Sequence, residues 1–227
     1  MKRFLAAISC LFLMMTDAFS GEVFVPGLGR GSSIPVESYQ ESKFRGVVVQ
    51  KYDFSCGSAA LSTLLSYHYE EKTLEADAFH AMFDVGDKNK IRHEGFSLLD
   101  MKNYLVSRGY QGDGYRLDLD KLAAVGVPFI VLLNTEGYMH FVVVKGIDKD
   151  RVLVGDSALG RKSYQRDAFL EKWNGIAFLI RNKADISKKL FNQEDEWKVT
   201  HSYPLNYHPD ATSLANLLIH LPDSRDF

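Results

Sequence analysis

Residues 127–180 hold four runs that a sheet accommodates far better than a helix: VPFIVLLN (127–134), MHFVVVKGI (139–147), RVLVGD (151–156) and GIAFLI (175–180). Each is short, rich in β-branched and aromatic residues, and separated from the next by turn-forming residues. DKD at 148–150 leaves room only for a tight turn, so 139–147 and 151–156 are predicted to pair as an antiparallel hairpin. RDAFLEKW (166–173) reads as a helical piece between the last two runs.

The region before the sheet follows a different period. From Cys56 onward, Leu61, Leu64, Leu65 and His68 recur at helical spacing, with Ser55 or Asp53 as cap. EEKTLEADAFHAMFDVG predicts a second helix capped by Thr73, stopped by Gly86 and buried through Phe79, Met82 and Phe83. GFSLLDMKNYLVSRGY predicts a third, with Ser97 and Asp100 resembling a capping box and Gly109 closing it. DLDKLAAVG adds a short fourth, ending at Gly126. Helices first and an antiparallel sheet after them describe an α+β domain over residues 46–182.

The flanks are not core-forming. MKR followed by the apolar run 4–15 and by TDAFSGE is the grammar of a secretory signal peptide, with cleavage expected after Ser20. The alternative, a lipoprotein signal at Cys10, has too short an apolar stretch ahead of it. The run is also too short to span a bilayer, and no other segment is long enough, so no membrane span is expected once residues 1–20 are removed. Residues 21–45 are rich in Gly, Ser and Pro and read as an arm with one short strand at EVFV. Residues 183–227 form a polar extension whose ATSLANLLIHL segment has leucines at helical spacing. A net charge of -2 gives no reason to expect nucleic acid as a partner.

Export changes the meaning of the cysteines. The chain has two, Cys10 and Cys56, and signal cleavage leaves Cys56 alone in a periplasm that oxidises thiols. A buried structural thiol is the ordinary alternative. Cys56, however, opens a helix whose next residues, Gly57, Ser58 and Ala59, are small. Helix N–H groups there favour a thiolate, and a nucleophile of this kind needs a base with an orienting partner. Of the seven histidines, His140 is the one that opens a strongly apolar strand. His68 sits about three turns along the cysteine's own helix, too far to serve, and the remaining five read as surface or tail residues. The predicted hairpin brings Asp156 within one to three positions of the residue facing His140, roughly 3–10 Å of stagger. Gln50, six residues before Cys56, could offer a side-chain amide to an oxyanion, or could be a solvated strand end.

QKYDFSCGSAALSTLL, followed downstream by GYMHFVVVKGI and VLVGDSALGRKSYQRDAFLEKW, resembles the bacteriocin-processing double-glycine cysteine peptidases, a papain-like family. The resemblance covers roughly residues 46–180. It implies Cys56 as nucleophile, His140 as general base and acid, Asp156 as orienting residue and Gln50 as oxyanion donor. It also implies a papain-like fold, helices packed on a twisted antiparallel sheet, and no cofactor or metal. With the arm VFVPGLGRGSSIPVESYQESKFRG, the core resembles the stand-alone exported members encoded with bacterial functional-amyloid (Fap-type) secretion systems. That implies a polypeptide partner: a Gly-containing leader, an amyloid subunit or a secretion-system protein. The chain has no Gly-Gly of its own, so self-processing at such a site is not indicated. A non-catalytic binding module is the competing reading, and a transglutaminase or amidase would use the same side chains. A metal site lacks HxxxH or CxxC spacing.

Overall fold

The computed structural model describes residues 22–24, 33–35 and 38–198. The signal peptide expected over residues 1–20, with Cys10, and the leucine-bearing segment expected after residue 198 lie outside them. The chain divides at residue 42 into two compact units. In the first, β1 (Glu22–Phe24) pairs antiparallel with β2 (Ser33–Pro35), so the strand expected at EVFV is present and has a partner. α1 (Tyr39–Phe44) comes next along the chain.

The second unit opens with four helices, α2 (Cys56–His68), α3 (Glu75–Val85), α4 (Lys88–Glu94) and α5 (Leu98–Ser107). There follow β3 (Gly112–Arg116), α6 (Leu119–Val125), β4 (Phe129–Thr135), β5 (Tyr138–Ile147), β6 (Arg151–Asp156), β7 (Gly160–Gln165), α7 (Arg166–Lys172) and β8 (Trp173–Ile180). Two short helices, α8 (Ala184–Lys188) and α9 (Glu194–Lys198), end the described chain. Six strands form one antiparallel sheet in the order β3-β8-β4-β5-β6-β7. The α+β class holds. The helices-then-strands order is broken once, because β3 enters before α6.

Both faces of the sheet are covered, which explains why its central strands are apolar at nearly every position. Ile130, Phe141, Val143, Phe178 and Ile180 pack with Leu61, Leu64, Leu65, Met82, Met101 and Leu105 from the helices. The alternate residues Val131, Leu133, Val142, Val144, Ala177 and Leu179 pack with Leu119 and Leu122 of α6, Phe169 of α7 and Phe191. The period of two therefore sorts each strand into two cores.

Several helix ends form as expected. Ser97 and Asp100 complete a reciprocal capping box, and Gly126 closes α6 in the left-handed conformation. Gly86 ends α3. Thr73 does not cap α3; Leu74 holds that position, and the Thr73 hydroxyl donates to Glu71 O instead. Ser55 holds the cap position of α2, but its hydroxyl donates to Tyr52 O at 3.0 Å and makes no bond to the helix.

The β5–β6 pairing slips by one residue between Val144 and Gly146, leaving Lys145 as a bulge. The bulge is a docking point. Lys145 O accepts from Asn192 N at 2.9 Å, and its fully buried Nζ donates to Gly46 O at 3.0 Å and pairs with Glu196 of α9. The Arg151 guanidinium lies over the Trp197 ring, 5.0 Å from the ring centroid. Residues 183–198 thus pack onto the far end of the β5–β6 hairpin. No helix among the described residues is long and apolar enough to cross a membrane.

Candidate active site

Cys56 is the first residue of α2 and is 6% exposed. The first turn carries no acidic residue, so the helix N–H groups meet no competing carboxylate within that turn. A Cβ at Gly57 would lie 2.9 Å from Phe96 Cβ, so glycine is what lets the start of α2 seat this closely. Ala59, Ala60, Leu61, Leu64 and Leu65 are buried and fix the helix on the sheet.

His140 and Asp156 come together as the hairpin predicts. Val143 pairs with Gly155, which puts Asp156 two positions from the residue facing His140, inside the expected stagger. His140 Nε2 lies 2.8 Å from Asp156 Oδ1, with both side chains buried. A carboxylate only accepts, so Nε2 carries the proton. The same oxygen accepts from Ala158 N at 2.8 Å and Leu159 N at 3.0 Å. Asp156 therefore serves as turn residue and as imidazole partner with one atom.

The other imidazole nitrogen, Nδ1, is buried and makes no hydrogen bond of ordinary geometry. The Cys56 sulfur nonetheless acts on the ring. Burial works to lower the His140 pKa, but the hydrogen bond and charge of Asp156, joined by the sulfur, overcome it and raise the value to about 9. Burial likewise works against the Asp156 carboxylate, and His140 with the two backbone N–H groups holds its pKa below the ordinary value.

Gln50 also reaches this site. Its side-chain oxygen accepts from Ser157 Oγ at 2.8 Å, its Nε2 donates to Tyr52 O at 3.2 Å, and its backbone N–H donates to Ser157 O at 3.1 Å. It is partly buried and does not lie in a strand.

Two residues of the site were not singled out from the sequence. Tyr138 stacks on the His140 ring, with centroids 5.7 Å apart and planes 24° off parallel, and its hydroxyl donates to Asp53 O at 3.0 Å. Burial raises its pKa, and Cys56, Asp53 and Asp156 add to the rise while Gln50 opposes it. Three of the residues expected from the sequence, Cys56, Asp156 and Gln50, thus bear on its hydroxyl, and the fourth, His140, lies against its ring. Ser157 is the other, buried next to Asp156. The only available signal was their position, two residues before His140 and one after Asp156. The remaining described histidines stand apart: His80 and His93 are exposed, and His68 bonds Leu190 O.

Comparison with known proteins gives the family. Residues 45–185 match the Peptidase C39 family. The chain belongs to that family and is a cysteine peptidase. The "Probable functional amyloid protease FapD" of Pseudomonas fluorescens is 40% identical over 177 residues, covering 77% of this chain and 78% of that one. The protein of the same name from Pseudomonas aeruginosa is 38% identical over 175 residues, covering 76% and 77%. Among solved structures, the peptidase domain of Streptococcus ComA, a bi-functional ABC transporter of a quorum-sensing pathway, is 19% identical. It covers 59% of this chain and 96% of that one, with a TM-score of 0.49.

Proposed function

We propose that this chain is an exported cysteine endopeptidase acting through a Cys56–His140–Asp156 triad, with Gln50 donating to the oxyanion. The observation that carries the reading is the buried His140–Asp156 hydrogen bond of 2.8 Å, which leaves Nδ1 for the thiol. The sulfur attacks the peptide carbonyl carbon, a C–S bond forms, and the carbonyl oxygen takes the negative charge. The imidazolium gives its proton to the leaving nitrogen as the C–N bond breaks. Water, losing a proton to His140, then attacks the thioester and releases the carboxylic acid and the thiolate. Asp156 keeps the ring oriented throughout and stabilises its charged form before acylation and after water has attacked.

Removal of residues 1–20 leaves the mature chain in the periplasm. Its substrate is a polypeptide, and the similarity to the two Pseudomonas proteases supports a functional-amyloid fibril component or its secretion partner. The test is alkylation. Iodoacetamide should label Cys56 at neutral pH at least about tenfold faster in the native chain than in the urea-unfolded chain. Equal rates would overturn the triad.

A further inference from the structure

We infer that Ser157 is a positioning residue that holds the Gln50 amide in the orientation selected by the Tyr52 carbonyl; the inference rests on the proposed role of Gln50 as oxyanion donor. The two ends of a glutamine amide have nearly the same shape, and rotation about its last side-chain bond is soft and close to two-fold. Only hydrogen-bond partners choose between the two settings. At this site the partners choose unambiguously.

Tyr52 O is a backbone carbonyl and can only accept, so the end of the amide 3.2 Å from it is the NH2 group. The end 2.8 Å from Ser157 Oγ is then the carbonyl oxygen, and the Ser157 hydroxyl is the donor. One amide proton goes to Tyr52 and the NH2 group also acts on the Tyr138 oxygen, the side from which an oxyanion would take the second proton. Turned over, the amide would set its oxygen against Tyr52 O and present an acceptor where a donor is needed.

Ser157 is placed to hold this setting. It is 2% exposed, and it follows Asp156, whose carboxylate is fixed by three hydrogen bonds. Gln50 N–H already donates to Ser157 O at 3.1 Å. The two segments are therefore joined through backbone whatever the side chain at 157. The hydroxyl adds control of the amide alone, and a change there reaches the reaction only through Gln50.

Two small reagents separate this role from every other. Iodoacetamide alkylates a thiolate by displacement, with no oxyanion. p-Nitrophenyl acetate acylates it through a tetrahedral oxyanion and releases p-nitrophenolate. Both rates are read on the full mature chain. Gln50→Ala should slow acylation by about a hundredfold and leave alkylation unchanged. Ser157→Ala should slow acylation by roughly tenfold, about the value of one hydrogen bond, again with alkylation unchanged. Ser157→Thr, which keeps the hydroxyl, should restore most of the loss. In the Gln50→Ala background, Ser157→Ala should add nothing. A fall of both rates together, no change in either, or an equal further loss without Gln50 would each overturn the role of Ser157. Circular dichroism checks that Ser157→Ala folds, and Ser157→Thr keeps the question open if it does not. A native Cys56 that neither reagent modifies faster than in the unfolded chain would remove the peptidase chemistry itself, a different result from any of these.

Discussion

His68 and His140 are buried almost equally, at 1% and 6% exposure, yet their pKa values move in opposite directions. His68 falls to about 3: burial disfavours its charge, the Lys145 ammonium adds to that, and a hydrogen bond from Nδ1 to Leu190 O only partly opposes them. His140 rises to about 9 because Asp156 and the Cys56 sulfur outweigh the same burial. The two lie at opposite ends of one helix–strand pair, α2 with β5. Desolvation pushes both the same way, and the sign of the neighbouring charge decides the outcome. At one end the chain keeps a charged imidazole beside the Cys56 sulfur. At the other it keeps a neutral one beside a buried lysine, and the ion pair of that lysine with Glu196 ties residues 183–198 to the sheet.

The comparison predicts that variants at the two ends fail in different ways. The largest effect is at the Cys56 end. Cys56→Ala and His140→Ala should each cut peptide hydrolysis by more than about 10⁴-fold, with thermal unfolding little changed for Cys56→Ala. A Cys56→Ala chain that still cleaves would erase the distinction. Glu196→Ala comes next. It strands the Lys145 charge in the core and should cost about 3 kcal/mol by urea denaturation, with the turnover number within about twofold of the parent. A loss of turnover without a loss of stability would show that the two ends are coupled.

The pH response is smaller and runs in two directions. The proposed mechanism uses the His140 imidazolium, so the rate of hydrolysis should fall with a midpoint of about 9 on the alkaline side. The stabilisation from this raised pKa is complete below about 6.5 and is lost as pH rises through about 9. His68, with its lowered pKa, works in reverse: its contribution is complete above about 6.5 and drains away as pH falls toward about 3. Urea midpoints from pH 4 to 10 should therefore decline on both sides, and His68→Gln should flatten only the acid side. Tyr138→Phe gives the smallest effect. It keeps the ring over His140 and removes the bond to Asp53 O, so hydrolysis should fall by no more than about tenfold.

Reading the sequence located Cys56, His140 and Asp156 because each stands in strong local context: a helix start, an apolar strand and the strand next to it. The two strands of the six-stranded sheet that it passed over, GDGYR of β3 and GRKSYQ of β7, are the two edges of that sheet. Edge strands tolerate Gly and charge, so they carry little of the apolar pattern that marks a strand. α4 was missed for a similar reason, since Ile91 is its single buried residue. The continuous apolar runs of the central strands implied cover on both faces, and only one layer of helices was foreseen. Ser157 and Tyr138 were not legible because their partners lie 107 and 85 residues away, and no local pattern encodes such a contact.

The bulge at Lys145 has a further consequence. On either side of it β5 and β6 keep the pairing of an unbroken ladder: if Lys145 were excised, Gly146 opposite Leu153 would be followed directly by Val144 opposite Val154. The lysine is thus an insertion that leaves the reading frame of the hairpin intact. A descendant of this chain could gain or lose it, and with it the anchorage of the tail, without turning the imidazole away from its carboxylate.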